Sequence, residues 1–222
     1  MSQPSNPQPS NSQPSSRPSQ PIRLYRFALS GHAHRAELFL GLLGLPVTLI
    51  DVDLTKGAQR EPAFLAKNPF GKVPVIEDGD VTIADSNAIL VYLANRYDQG
   101  GAWLPKDPAQ AASVQRWLSV AAGELAYGPA RARVGLLFKR PIDIAAAQEA
   151  ARALFELMNA ELAKAPYLTG QRPTIADIAL YSYTAVAPEG GIDLAPYPAI
   201  LAWLKRIEAL PGFVPMPRTP AQ

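Results

Sequence analysis

The sequence predicts an α+β layered domain followed by an all-α helical domain. Three observations carry this expectation. Strand-like runs of β-branched and apolar residues occur only between Ile22 and Ile83. Helix-spaced apolar residues alternate with those runs. Beyond a Gly- and Pro-containing stretch near residue 100, the apolar patterning is helical throughout.

Met1 to Pro21 consists almost wholly of Ser, Pro, Gln and Asn. So little apolar surface does not offset the entropy of ordering, so residues 1–21 are expected to form a disordered tail. Ile22 to Phe27 reads as the first strand. From His34 to Leu43 the apolar positions Ala36, Phe39, Leu40 and Leu43 have helical spacing, and Gly44 is a stop signal. Val47 to Val52 is a β-branched second strand, and Gly57 to Lys67 a short helix or irregular segment. Val73 to Ile76 and Val81 to Ile83 are strands joined by the hairpin signal Asp78-Gly79, and Asp85 to Tyr97 is helical. The order β-α-β-(α)-β-β-α makes residues 22–97 one layered unit.

Residues 98–106, with Gly100-Gly101 and Pro105, read as a linker. Asp107-Pro108 then has the form of an N-cap with proline at the first helical position. Residues 107–214 are expected to form helices over Ala109–Tyr127, Ala130–Phe138, Ile142–Ala165, Thr174–Val186 and Pro198–Leu210. Gly128-Pro129 is expected to break or kink the first pair. Thr174-Ile175-Ala176-Asp177 is a capping box with Asp in place of Glu.

The 222 residues contain no cysteine. Disulfides, thiolate metal ligands and cysteine nucleophiles are therefore excluded, and any thiol chemistry needs a thiol brought by a ligand. The formal net charge is +2, with acidic and basic residues interspersed, so no nucleic-acid or membrane footprint is expected. No apolar run reaches spanning length, and no signal-peptide core precedes Ile22. The expected location is cytoplasmic. His32-x-His34, with no third ligand nearby, is a poor metal site, and none is expected.

Two short motifs carry recognition. Val73-Pro74 puts a proline inside a strand, where it removes a ladder donor. Either the proline sits on an edge, or a cis bond turns the Val73 backbone outward to pair with an extended peptide. Asp85-Ser86-Asn87 follows a strand and opens a helix. Such a helix start offers unpaired N–H groups and partial positive charge to a carboxylate. Asp85 is then placed for an ammonium group, although a plain N-cap explains the same residues. Backbone pairing beside an amino-acid head-group site together fit a γ-glutamyl peptide.

The run Asn68-Pro69-Phe70-Gly71-Lys72-Val73-Pro74-Val75, then Asp85-Ser86-Asn87-Ala88-Ile89 and Tyr92-Leu93, resembles the N-terminal domain of cytosolic glutathione transferases. The Thr174-x-x-Asp177 box extends the resemblance to about Ile22 to Phe213. The resemblance implies a thioredoxin-like fold for the first domain, glutathione as co-substrate and a homodimer. It implies that Val73 binds the cysteinyl unit, that Asp85 and Ser86 hold the γ-glutamyl head, and that Lys72 and Lys56 approach glutathione carboxylates. His32 is expected to line the pocket.

Activation of the thiol needs a hydroxyl near the first helix. Ser30, in Leu29-Ser30-Gly31-His32, is the candidate, with Tyr25 on the first strand as the alternative. The spacing of Ser30 to Arg35 is similar to serine-using theta- and zeta-like classes. A hydrogen bond to a charged sulfur, worth about 1.5–3 kcal/mol, favours thiolate by roughly tenfold to a hundredfold. The electrophile is expected between the domains, near Tyr127 and Arg131, with Arg116 and Trp117 on the same helices. The expected activity is conjugation of glutathione to a small hydrophobic electrophile. The alternatives are a glutathione- or ligand-binding protein of the same fold, or a glutathione-dependent isomerase or peroxidase.

Overall fold

A computed structural model describes residues 17–219. Most of the expected tail, residues 1–16, lies outside the described residues. Strand β1 (Ile22–Arg26) leads into helix α1 (Gly31–Leu42) and strand β2 (Val47–Asp51). A 3₁₀ turn at Ala58–Arg60 and a single helical turn α2 (Pro62–Leu65) fill the segment left between helix and irregular structure. Strands β3 (Val75–Asp78) and β4 (Val81–Ala84) and helix α3 (Ser86–Tyr97) complete the unit.

The sheet order is β2-β1-β3-β4. β1 and β2 are parallel, with Leu24 opposite Leu49, whereas β3 runs antiparallel to both β1 and β4. Strand alternation divides the side chains between two faces. Ile22, Leu24 and Ile76 are fully buried against Phe39 of α1 and Ile89 and Leu93 of α3. Tyr25 and Val75 turn to the other face and pack with Val52 and Phe64.

The second domain holds α4 (Pro108–Ala122), α5 (Arg131–Leu137), α6 (Ile144–Leu162), α7 (Ile175–Ala185) and α8 (Pro198–Glu208). The large core is continuous across both domains, from Phe39 and Leu93 to Trp117, Phe155, Ile178 and Trp203. The stretch read as a linker is packed too. Trp103 meets Phe39 edge-on at 5.3 Å, and its carbonyl accepts from Ile175 N at 2.9 Å.

Several boundaries differ from the sequence reading: β3 begins at Val75, so Val73 and Pro74 lie in the loop before it rather than in the strand, and α6 is shorter at both ends than Ile142–Ala165. Two further differences have a local reason. α1 begins at Gly31 rather than His34, because the Ser30 hydroxyl oxygen accepts from Ala33 N at 3.3 Å and caps the helix there. Gly128-Pro129 does not break the chain. α4 ends at Ala122, and the path continues through a π-helical turn over Ala126–Ala130, a wider coil that tolerates the missing proline N–H. Gly128 is required there, since a Cβ would stand 2.9 Å from the Ala151 backbone nitrogen.

The capping box forms with both reciprocal bonds. The fully buried Asp177 carboxylate accepts from Thr174 N (2.8 Å), Leu168 N (2.9 Å) and Trp203 Nε1 (2.9 Å), joining α7, α8 and the preceding loop. Among the described residues no helix is long and apolar enough to cross a membrane.

Candidate functional site

A cavity of about 560 Å³ opens between the domains. Its first-domain wall is built by His32 and Arg35 of α1, the loop carrying Asn68 to Pro74, and the start of α3 at Asp85, Ser86 and Asn87. Ala122, Ala126 and Tyr127 face them from the second domain.

The loop is held from below. Asn68, 4% exposed, donates through Nδ2 to the Lys72 carbonyl at 2.7 Å and accepts from Phe70 N at 3.1 Å. The Val73–Pro74 bond is cis. Among the described residues neither the N–H nor the C=O of Val73 has a hydrogen-bond partner, so this backbone edge on the cavity is free to pair with an extended ligand.

Asp85 caps α3. Its Oδ1 accepts from Asn87 N (2.9 Å) and Ala88 N (3.0 Å), and its backbone is held at φ +75°, a strained conformation for a non-glycine residue. The Oδ2 atom and the Ser86 N–H are left for a ligand. Ser86 Oγ accepts from Arg35 Nη1 at 2.8 Å and lies 3.4 Å from His32 Nδ1. Arg35 Nη1 also donates to Asn87 Oδ1 at 2.7 Å, and Asn87 Nδ2 donates to the Leu118 carbonyl at 3.0 Å. The half-buried His32 imidazole is pushed down to about 3 by burial and by the positive charges of Arg35 and Lys72. It is therefore neutral near pH 7. Burial likewise lowers the Arg35 guanidinium to about 10, which keeps it charged.

The predicted residues separate into two groups. His32, Lys72, Val73, Asp85, Ser86 and Tyr127 all line the cavity. Ser30 does not line it, but caps the helix whose third residue from the cap, Ala33, it binds and whose His32 does line it. The Ser30 oxygen is used as an acceptor, and its proton has no acceptor among the described residues. Tyr25 instead donates its hydroxyl to Glu77 Oε2 at 3.0 Å, with Lys67 5.1 Å above its ring, in the small cluster on the far face of the sheet. Lys56 is solvent-exposed and pairs with Asp53 at 3.3 Å, outside the cavity. Arg131 is exposed and does not line the cavity. Arg116 stacks over Trp117, which is buried and donates to the Leu168 carbonyl at 3.1 Å.

Arg35 and Asn87 are functional candidates that residue patterns did not single out as site residues. The available signal was a charge on the apolar stripe: Arg35 lies four residues before Phe39, on the buried side of α1. His34, the other histidine, is buried away from the cavity. Its Nε2 contacts the Val214 carbonyl at 2.9 Å, an acceptor only, so the proton resides there and Nδ1 accepts from Ser182 Oγ at 2.9 Å. Among the described residues no cluster of three His, Cys, Asp or Glu could hold a metal.

Comparison with known proteins gives this geometry a family. Residues 20–95 match the model of the glutathione S-transferase N-terminal domain, and residues 114–211 match the C-terminal domain. The chain is 34% identical to glutathione S-transferase 3 of Zea mays over 218 residues, covering 90% of this chain and 98% of that protein. It is 33% identical to a disulfide-bond oxidoreductase of Escherichia coli, covering 86% and 92%. The crystal structure of a glutathione S-transferase from Pseudomonas fluorescens superposes with a TM-score of 0.83 at 37% identity, over 89% of this chain and 99% of that one. The thioredoxin-like first domain and the helical second domain are those of this superfamily: the chain belongs to the glutathione S-transferase family.

Proposed function

We propose that the protein is a glutathione transferase that ionises the glutathione thiol beside α1 and directs it at a small hydrophobic electrophile held against Tyr127. The observation that carries this reading is the pairing of two free recognition groups on one cavity. The unpartnered Val73 backbone suits the cysteinyl unit, and Ser86 with Asp85 Oδ2 suits the carboxylate and ammonium of a γ-glutamyl head. Lys72, on the same wall, suits the glycyl carboxylate.

Ser30 is the activating hydroxyl in this reading. Its oxygen is fixed by the Ala33 N–H, which leaves its proton for the sulfur. With no cysteine in the chain, the only thiol is the one the ligand brings, and catalysis combines proximity with thiolate stabilisation. Dependence on reduced glutathione fits a cytoplasmic location, and the family relationship supports a homodimer, which sedimentation of the purified chain tests.

A second reading draws on the Escherichia coli relative. Here two glutathione thiols give two electrons and two protons to a disulfide substrate, which leaves as two thiols, with glutathione disulfide as the co-product. Incubation with glutathione and an aryl halide separates the two. An aryl thioether with loss of halide supports conjugation. Glutathione disulfide formed only when a disulfide or peroxide is supplied supports the second reading. No product with either, despite glutathione binding, supports a binding protein.

A further inference from the structure

We infer that Arg35 positions the γ-glutamyl carboxylate, fixing the direction of the Ser86 hydroxyl and supplying the buried positive charge that the carboxylate answers. This rests on the glutathione reading above and extends it to a residue that does not need to touch the ligand.

Arg35 is 1% exposed, yet among the described residues it forms no ion pair with a carboxylate. Its Nε and Nη2 atoms are buried without a hydrogen-bond partner. A guanidinium kept charged in this state is unfavourable in the empty protein, because burial removes water from Nε and Nη2 that no hydrogen bond replaces, and the nearby Asp85 charge offsets this only in part. Its one engaged nitrogen, Nη1, donates to both Ser86 Oγ and Asn87 Oδ1, the first two side chains of α3. The charge therefore sits directly behind the helix start that faces the cavity.

The contact also sets polarity. Arg35 can only donate, so Ser86 Oγ accepts from it and its own proton must point elsewhere. Within the protein the polar neighbour of that hydroxyl is His32 Nδ1 at 3.4 Å, a long contact for an O–H donor even in the tautomer that leaves Nδ1 an acceptor. A ligand carboxylate in the cavity takes that proton at normal length. The same nitrogen fixes the Asn87 amide, whose Nδ2 then reaches the Leu118 carbonyl of α4. One side chain from α1 thus aligns the head-group end of the site and ties it to the second domain. Asp85 is itself an anion, capping α3 through Oδ1 and suited to the ligand ammonium, so the positive charge at this end that answers the carboxylate is Arg35.

The test compares two non-reacting ligands by calorimetry: S-methylglutathione, and its analogue carrying 4-aminobutyryl in place of γ-glutamyl, which lacks only the α-carboxylate. The wild-type protein is expected to bind the first about a hundredfold more tightly. In Arg35→Gln that preference is expected to fall to about tenfold or less, and in Arg35→Lys, which keeps the charge but loses the fork, to about thirtyfold. A merely structural role weakens both ligands equally and leaves the ratio alone. An unchanged ratio in Arg35→Gln, or in Arg35→Lys if the glutamine variant does not fold, overturns the inference. Failure of S-methylglutathione to bind the wild-type protein overturns the glutathione reading itself.

Discussion

Arg133 Nη1 donates to the Leu29 carbonyl at 2.6 Å, binding the residue before Ser30 to the second domain. The same guanidinium donates through Nε to Glu189 Oε2 at 2.7 Å and is 1% exposed. The loop that presents Ser30 is thus clamped by a helix from the other half of the molecule. Arg133→Gln removes the charge while Glu189 stays behind, which in a buried pair costs about 3–5 kcal/mol. Denaturant unfolding is expected to show most of that loss. Because the ligand wall at Val73 and Ser86 is untouched, kcat is expected to fall more than KM for glutathione rises. A rise in KM with unchanged kcat would contradict the clamp.

Ser30→Ala is expected to leave glutathione affinity nearly intact and to lower the fraction of bound thiolate at pH 7 by roughly tenfold to a hundredfold. The thiolate absorbance of bound glutathione, followed against pH, measures this directly. Tyr25→Phe provides the contrast. The Tyr25 hydroxyl already donates to Glu77, so its loss is expected to cost about 1 kcal/mol of stability and to leave the thiolate titration in place. The opposite pattern would move activation to Tyr25.

Both histidines are held neutral, which makes the fold sensitive to acid. His32 is pushed down to about 3 and His34 to about 4, chiefly by burial, from an ordinary value of 6.5. Between those values the unfolded chain binds protons that the folded chain refuses. Stability is therefore full above pH 6.5 and falls as pH drops, by about 1.4 kcal/mol per pH unit for each histidine. Uptake of about two protons on unfolding at pH 5 is expected from these groups. His34→Gln, outside the cavity, is expected to flatten part of this dependence. His32 stays neutral across pH 5–9, so His32→Asn is not expected to displace the acid limb of the kcat profile, which is expected to follow the bound thiol.

What the sequence made legible was whatever its neighbours in the chain determine. A proline beside a strand marks Val73, although it precedes β3 rather than lying within it, and a strand followed by Asp-Ser marks the α3 start, because both signals are local backbone chemistry. Arg35 was not singled out, since its partners Ser86 and Asn87 lie 51 and 52 residues away and only the packing of α1 on α3 joins them. The placement of Arg131 at the electrophile site turned on helix rotation. One residue separates Arg131, exposed, from Arg133, fully buried, and the π turn through Gly128-Pro129 fixes which one faces inward. A reading that treats the proline as a break loses that phase.

Asp177→Ala is expected to destabilise the protein without altering the site. Three donors, Leu168 N, Thr174 N and Trp203 Nε1, lose their acceptor in a fully buried position. Unsatisfied buried donors cost about 1–3 kcal/mol each, so a loss of about 3–5 kcal/mol is expected after partial relaxation. Thermal unfolding measures it, and activity per folded molecule should be retained, because no atom of this network lines the cavity.

A steric test beside the site concerns Gly31, the first residue of α1. A Cβ there would lie 2.8 Å from the ring of Tyr183 of α7, whose edge also meets the His32 ring at 5.0 Å. Gly31→Ala must therefore shift either the ring or the first turn of α1, and Tyr183 is itself buried in the shared core. Overpacking of this kind costs about 1–3 kcal/mol. Moving the first turn also moves Ser30 and His32, so kcat is expected to fall as well. Tyr183→Leu in the same chain removes the ring and should recover much of the loss in kcat. The two substitutions would then be strongly non-additive, as residues in direct contact are. Strict additivity would mean that the ring and the first turn do not compete for this space, and that Gly31→Ala acts through the backbone alone.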